Sequence, residues 1–232
     1  MNLAILLAAG SGNRMQGSVD DKVLAVVAGR PVLLHSLEAF AASDIIDHYC
    51  IVCRNDAQRT SIEPIVANSG LALANISYCL GGEERSDSVR NALQAAPTGC
   101  DFVFIHDAAR PLVSSRSIRE LEAAVLRDHA AVLAHPVSDT IKRIPDATSF
   151  NKVELEDLDR KRLWAMETPQ AFAFKPIYNA YQQIAAEGLS VTDDCAAASL
   201  AGLKITIVPN HSPNPKLTTA SDLDYLNWLL SP

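Results

Sequence analysis

Asn2-Leu3-Ala4-Ile5-Leu6-Leu7-Ala8-Ala9-Gly10-Ser11-Gly12-Asn13-Arg14-Met15 opens the chain with an apolar run followed by a glycine-rich loop. The run over residues 2–8 has no polar alternation, the pattern of a strand covered on both faces. An amphipathic helical stretch follows at 32–42, and the same alternation repeats outward. Strands are expected at 49–53, 76–80, 101–106, 130–137 and 204–208, with helices near 57–69, 87–96, 176–187, 194–201 and 222–230. Ile118, Leu121 and Val125 share one helical face. Apolar strands separated by helices imply an α/β fold, a mostly parallel sheet flanked by helices. Such sheets bind ligands beyond the carboxyl ends of their strands. The loops after Ala8, Leu80, His106 and Val137 are therefore where chemistry is expected.

Composition narrows the class. The chain has 232 residues, 48% hydrophobic and 20% charged, as in an ordinary globular protein, which excludes collagen, coiled coil and whole-chain disorder. Lys plus Arg is 20 against 27 Asp plus Glu, a net charge of −7. A general nucleic-acid or membrane-surface binder is more often basic, so neither partner is expected. A small anionic substrate stays open, because a site needs only a few local cations. The apolar run at 3–9 lacks a basic leader and is too short to span a membrane, so a cytoplasmic location is expected. Five cysteines, an odd number, do not suggest a disulfide framework. Cys50 and Cys53, three apart on a strand, point to opposite faces and read as buried thiols.

The first loop satisfies neither common phosphate motif. Gly10 and Gly12 fit a dinucleotide fingerprint, but Met15 stands at the third glycine; Gly12 and Gly17 fit Walker spacing, but Ser18 stands where Lys is required. What remains is a glycine turn with Arg14 inside it and Lys22 beyond, cations suited to a triphosphate. The bland alternative is a turn glycine. Gly81-Gly82-Glu83-Glu84-Arg85-Ser86-Asp87-Ser88-Val89 carries glycines and then hydroxyls at a helix start, where Asp87 or Ser88 could simply cap. In His106-Asp107-Ala108-Ala109-Arg110-Pro111 a carboxylate ends a buried strand, placed to hold Mg²⁺ against phosphates, with Arg110 near enough to clamp another; a structural Asp–Arg pair is the alternative. There is no G-x-S-x-G elbow and no H-x-x-x-H pair. A phosphate monoester nucleophile, with a second pKa of ~6, would need no general base. Residues 138–162 hold 12 charges in 25 positions, either a solvated excursion or an arm.

Taken in order, Ala8-Ala9-Gly10-x-Gly12-x-Arg14-Met15, Gly81-Gly82-Glu83-Glu84-Arg85-x-Asp87-Ser88-Val89, His106-Asp107-Ala108-Ala109-Arg110-Pro111, Pro136-Val137-x-Asp139-Thr140-Ile141-Lys142-Arg143, Asp159-Arg160-x-x-Leu163-Trp164 and Thr168-Pro169-Gln170-Ala171-Phe172 resemble the 2-C-methyl-D-erythritol 4-phosphate cytidylyltransferases of the non-mevalonate isoprenoid pathway. The likeness continues through Thr192-Asp193-Asp194 to Lys216 and Ser221-Asp222-Leu223. It implies one Rossmann-like nucleotidyltransferase domain over 1–232, with a β-arm at about 138–162 that interlocks two subunits. CTP, methylerythritol phosphate and Mg²⁺ are the implied ligands. By resemblance, Arg14 and Lys22 stabilise the transition state, and Arg160 and Lys216 complete the catalytic set. Ala8, Ala9, Gly10, Ser11, Gly12 and Asn13 cradle CTP, Gly82, Glu83 and Ser88 surround its base, and Ala108 also binds CTP. Asp107 lies at the metal and ribose. Asp107, Arg110, Thr140, Arg160, Thr168 and Lys216 hold the acceptor, the arm residues acting across a homodimer. Two departures stand out: Asp20-Asp21 precedes Lys22 where the family usually has Pro, and Pro213-Asn214-Pro215-Lys216 lacks the usual acidic residue. Another polyol phosphate such as ribitol 5-phosphate, an NADP site built on Gly10-x-Gly12 and Arg54, and a non-catalytic nucleotide binder are the alternatives.

Overall fold

The structure, a computed structural model, describes residues 1–10, 21–145 and 151–231. Strands β1 (Asn2–Leu7), β2 (Val26–Val27) and β3 (Arg30–Pro31) precede helix α1 (Val32–Ala41); β4 (His48–Cys53), α2 (Asp56–Ala67), β5 (Asn75–Leu80) and α3 (Arg85–Gln94) follow. Next come β6 (Phe102–Asp107), α4 (Ser115–Asp128) and β7 (Ala130–Pro136), then β8 (Lys142–Arg143) and β9 (Glu156–Asp157). β10 (Trp164–Ala173), α5 (Phe174–Glu187), α6 (Asp194–Leu200), β11 (Thr206–Pro209) and α7 (Ala220–Leu230) complete the chain.

Seven strands form one sheet in the order β11-β7-β10-β6-β1-β4-β5. β1 pairs parallel to β4 and β6, β4 to β5, and β7 to β11. The continuous apolar reading of β1 has a simple cause. Leu3 and Ile5 enter one core layer with Val89, Leu93, Phe172 and Tyr181, from α3, β10 and α5. Ala4 and Leu6 enter the other, with Leu37, Ile62, Leu121 and Leu226 from α1, α2, α4 and α7. Each such fully buried Leu or Ile contributes about 2 kcal/mol of transfer free energy. Cys50 and Cys53 fall in opposite layers, and all five cysteines are free.

One central strand was not expected. β10 lies antiparallel between β6 and β7. Its middle reads Glu167-Thr168-Pro169-Gln170, polar and proline-bearing, so it shows no apolar run. Pro169 is tolerated because the pairing with β7 breaks register between Met166 and Gln170. No described residue between 138 and 162 is buried. β8 and β9 pair as a short antiparallel ribbon, joined by Lys142–Asp157 and by Arg143–Glu156 at 3.1 Å.

Candidate active site

The carboxyl ends of β1, β4, β5 and β6 surround a cavity of about 520 Å³. Ala9, Gly10, Lys22, Arg54, Gly82, Glu83, Glu84, Arg85, Ser88, Asp107, Ala109 and Lys216 are among the residues lining it, so the topology delivers three of the loops singled out above to one place.

Gly81 and Gly82 are there because nothing larger fits. A Cβ on Gly82 would stand 2.2 Å from Asp87 Cβ, and one on Gly81 would stand 2.8 Å from Ala9 Cβ. The close approach brings β5's loop against β1's loop. Ser88 is not the cap of α3. Its hydroxyl accepts from Gly82 N–H at 3.1 Å and donates to the Glu84 carbonyl at 3.2 Å, tying the glycine turn to the helix. Glu84 is the cap, in a capping box with Asp87.

Asp107 ends β6 buried and facing the cavity. Lys216 Nζ donates to its Oδ2 at 2.7 Å, Arg85 Nε to its Oδ1 at 3.4 Å, and Arg110 Nε stands 3.9 Å away. Burial opposes its charge, yet Arg85 and Lys216 hold its pKa well below the usual carboxylate range. Arg85 is anchored from behind by the fully buried Asp194, through a pair of bonds at 2.9 and 2.7 Å. Tyr181 donates to the same carboxylate at 2.5 Å. Asp107 N–H donates to Thr168 Oγ1 at 3.0 Å, and that hydroxyl meets His106 Nδ1 at 3.1 Å.

The expected residues are placed unevenly. Ala9, Gly10, Lys22, Gly82, Glu83, Ser88, Asp107 and Lys216 converge on the cavity. Ala8 and Ala108 are fully buried, and Ala109 lines the cavity in place of Ala108. Thr168 is buried behind Asp107, and Arg110 reaches the Asn214 carbonyl at 2.7 Å. Thr140 and Arg160 are exposed on the excursion, Arg160 donating to the Ser138 carbonyl at 2.8 Å, and neither lines this chain's own cavity. Ser11, Gly12, Asn13 and Arg14 lie outside the described residues.

Compared with known proteins, residues 2–231 match the family described as 2-C-methyl-D-erythritol 4-phosphate cytidylyltransferase. The chain belongs to this family of cytidylyltransferases. A relative of that name from Dictyoglomus thermophilum is 35% identical over 99% of this chain and 96% of its own. One from Dehalococcoides mccartyi is 38% identical over 95% and 92%. The crystal structure of 4-diphosphocytidyl-2C-methyl-D-erythritol synthase from Anaerococcus prevotii superposes with a TM-score of 0.85 at 29% identity, covering 99% of this chain and 96% of that one.

As a cytidylyltransferase the chain shows three residues near the site that motif reading left without a role, Arg85, Gln58 and Glu167, and a different use for Arg54. Arg85 lies inside a quoted motif, but its anchor Asp194 is 109 positions away. Arg54 and Gln58 meet Asp21, at 2.8 and 2.6 Å. Glu167 supplies a carboxylate near the Pro213–Lys216 stretch: it accepts from the Asn210 and Asn214 amides at 2.7 and 2.8 Å, with His135 Nδ1 at 2.5 Å. No spacing rule links Arg85 to Asp194 or Glu167 to its two asparagines; they meet only in the fold. Among the described residues no helix is long and apolar enough to cross a membrane.

Proposed function

We propose that this chain, as one nucleotidyltransferase domain, transfers CMP from CTP to 2-C-methyl-D-erythritol 4-phosphate, giving 4-diphosphocytidyl-2-C-methyl-D-erythritol and pyrophosphate. The observation that carries this is a cavity lined by Gly10, Gly82 and Lys22 in which Arg85 and Lys216 both hold the Asp107 carboxylate. The Ala8–Asn13 loop holds the triphosphate, and Gly82, Glu83 and Ser88 hold the cytosine, where the glycines let backbone approach the base edge. The acceptor phosphate attacks the α-phosphorus in line as pyrophosphate leaves. That phosphate is mostly dianionic at neutral pH, with a second pKa of ~6, so no side chain has to remove a proton. Charge builds on the α-phosphate oxygens as the bond forms, and Arg14 and Lys22 stabilise it there. Lys216 and Asp107 hold the acceptor in the cavity, and Thr168 and Arg110 act from behind, Thr168 on Asp107 N–H and Arg110 on the Asn214 carbonyl two residues before Lys216. Thr140 and Arg160 complete that pocket from the arm of a second copy, so the working unit is a homodimer.

A divalent cation, Mg²⁺ for preference, fits this arrangement in one way. Among the described residues no three His, Cys, Asp or Glu side chains are grouped as ligands. Asp107 is a single carboxylate at the strand end, and Mg²⁺ commonly takes one carboxylate with substrate phosphates and water. When bound it would neutralise triphosphate charge. The free cysteines suit action in the cytoplasm.

Purified protein given Mg²⁺, CTP and methylerythritol phosphate should release pyrophosphate, and chelation should stop it. The same assay with ATP, GTP, UTP and with ribitol 5-phosphate sets specificity. Release with ribitol phosphate alone would replace the acceptor, and CTP binding without release on any polyol phosphate would remove the catalytic assignment.

A further inference from the structure

Lys22 follows a carboxylate that is turned inward. The Asp21 side chain is only 10% exposed. Its Oδ2 accepts from Arg54 Nη2 at 2.8 Å and Gln58 Nε2 at 2.6 Å, and its Oδ1 from Val23 N–H at 3.1 Å. The Asp21 carbonyl accepts from Leu24 and Ala25 N–H, closing the turn that carries Lys22.

Gln58 is the node of this arrangement. It is 5% exposed, and a buried amide is costly unless its groups are bonded. Here they are spent on three separate elements. Nε2 donates to the Ala8 carbonyl at 3.1 Å, where the nucleotide loop begins, as well as to Asp21; Oε1 accepts from Arg54 N–H at 2.6 Å, at the end of β4. The start of the nucleotide loop and the turn before Lys22 are thus bonded to one rigid amide on α2. The lysine ammonium stands over that same loop: a Cβ added to Gly10 would lie 3.0 Å from Lys22 Nζ.

We infer that Asp21, gripped by Gln58 and Arg54, positions Lys22, fixing the lysine's backbone against the nucleotide loop so that its ammonium reaches the α-phosphate. A long flexible side chain reaches one spot reproducibly only if its root is held, and an error of about 1 Å in placing a charge costs up to ~100-fold in rate. The inference rests on the cytidylyltransferase reading of the cavity. It assigns Asp21 no contact with substrate: the carboxylate acts through Lys22.

A double-mutant cycle tests it on the full chain, with pyrophosphate release giving kcat and KM and calorimetry giving CTP affinity. Lys22→Ala should lower kcat by at least ~100-fold. Asp21→Ala should lower kcat by roughly 10-fold to 100-fold while KM for CTP moves by less than ~3-fold. The double variant should be no slower than Lys22→Ala alone, because groups acting as a unit are not additive. Asp21→Asn, which keeps shape and one acceptor, should recover part of the loss, and Gln58→Met should lower kcat in the same sense. Losses that multiply in the double variant, or an unchanged kcat in Asp21→Ala beside a crippled Lys22→Ala, would overturn the inference. Undiminished turnover in Lys22→Ala would overturn the role of the lysine itself, and with it the reading the inference rests on. Should Asp21→Ala fail to fold, Asp21→Asn and Gln58→Met, each combined with Lys22→Ala, separate multiplying losses from non-additive ones in the same way.

Discussion

His106 has to remain neutral where it sits. It is fully buried, beside Phe40 at 5.3 Å between ring centroids. Its Nε2 lies 3.2 Å from the Arg110 carbonyl, which can only accept, so Nε2 carries the proton. Nδ1 then accepts from the Thr168 hydroxyl, whose oxygen is already taken by Asp107 N–H. The chain of bonds fixes where Asp107 starts. Burial pushes the imidazole pKa down from 6.5 to about 4. Between those values the unfolded chain binds a proton that the folded chain excludes. Stability is therefore complete above about pH 6.5 and falls as pH drops towards 4, by up to about 3 kcal/mol. Asp107 acts lower: its depressed pKa means that its stabilisation is lost only below the ordinary 3.8. Urea midpoints should fall from about pH 7 to about pH 4.5, and His106→Gln should flatten that slope. An equal slope in the variant would contradict the assignment. At this scale the lining residues were partly legible. Gly10, Gly82 and Asp107 stand out as glycines or a charge just after apolar strands, Lys22 as a cation beyond the first glycine loop, and Lys216 only through the family resemblance. Arg85, Gln58 and Glu167 were not, because their meaning comes from partners distant in sequence.

Among the elements, β10 shows what patterning can and cannot reveal. The parallel strands were legible because burial on both faces demands unbroken apolar runs, as in Phe102–Ile105. β10 is buried from Glu167 to Phe172 but fills half of that stretch with polar groups, so its burial is met by hydrogen bonds instead. Glu167 is central to this. It accepts from Asn210 and Asn214, bracketing the segment that leads to Lys216, and Asn214 also donates to the Thr168 carbonyl at 3.0 Å. Glu167→Ala would leave two buried amides short of an acceptor. That should cost about 3 kcal/mol by urea unfolding and raise KM for the acceptor, because Lys216 sits two residues beyond Asn214. Glu167→Gln keeps one carbonyl acceptor and should cost about 1 kcal/mol. A loss in Glu167→Ala no larger than in Glu167→Gln would show that the carboxylate does not hold this corner together.

At the scale of the whole molecule, the question is what the ribbon of β8 and β9 rests on. Its two cross-strand ion pairs are exposed, and such pairs add little, typically under about 1 kcal/mol each. A lone two-stranded ribbon is marginal in water. It also exposes Ile141 and Leu155, the latter at 56%. Thr140 and Arg160 lie on this excursion outside the chain's own cavity. All three facts fit a ribbon that folds against a second copy and lends its polar residues to that copy's pocket. Sedimentation at micromolar protein should then give twice the mass of the chain, and Leu155→Asp should shift it towards one chain and lower turnover. The decisive measurement is complementation. Lys22→Ala ruins the cavity of its own chain, and Arg160→Ala ruins only the arm that chain lends. If the arm acts across the dimer, equal mixing after subunit exchange assembles heterodimers with one intact cavity facing one intact arm. Two inactive proteins then recover about a quarter of parental activity. If each arm served its own cavity, no pairing would unite the intact halves and the mixture would stay inactive.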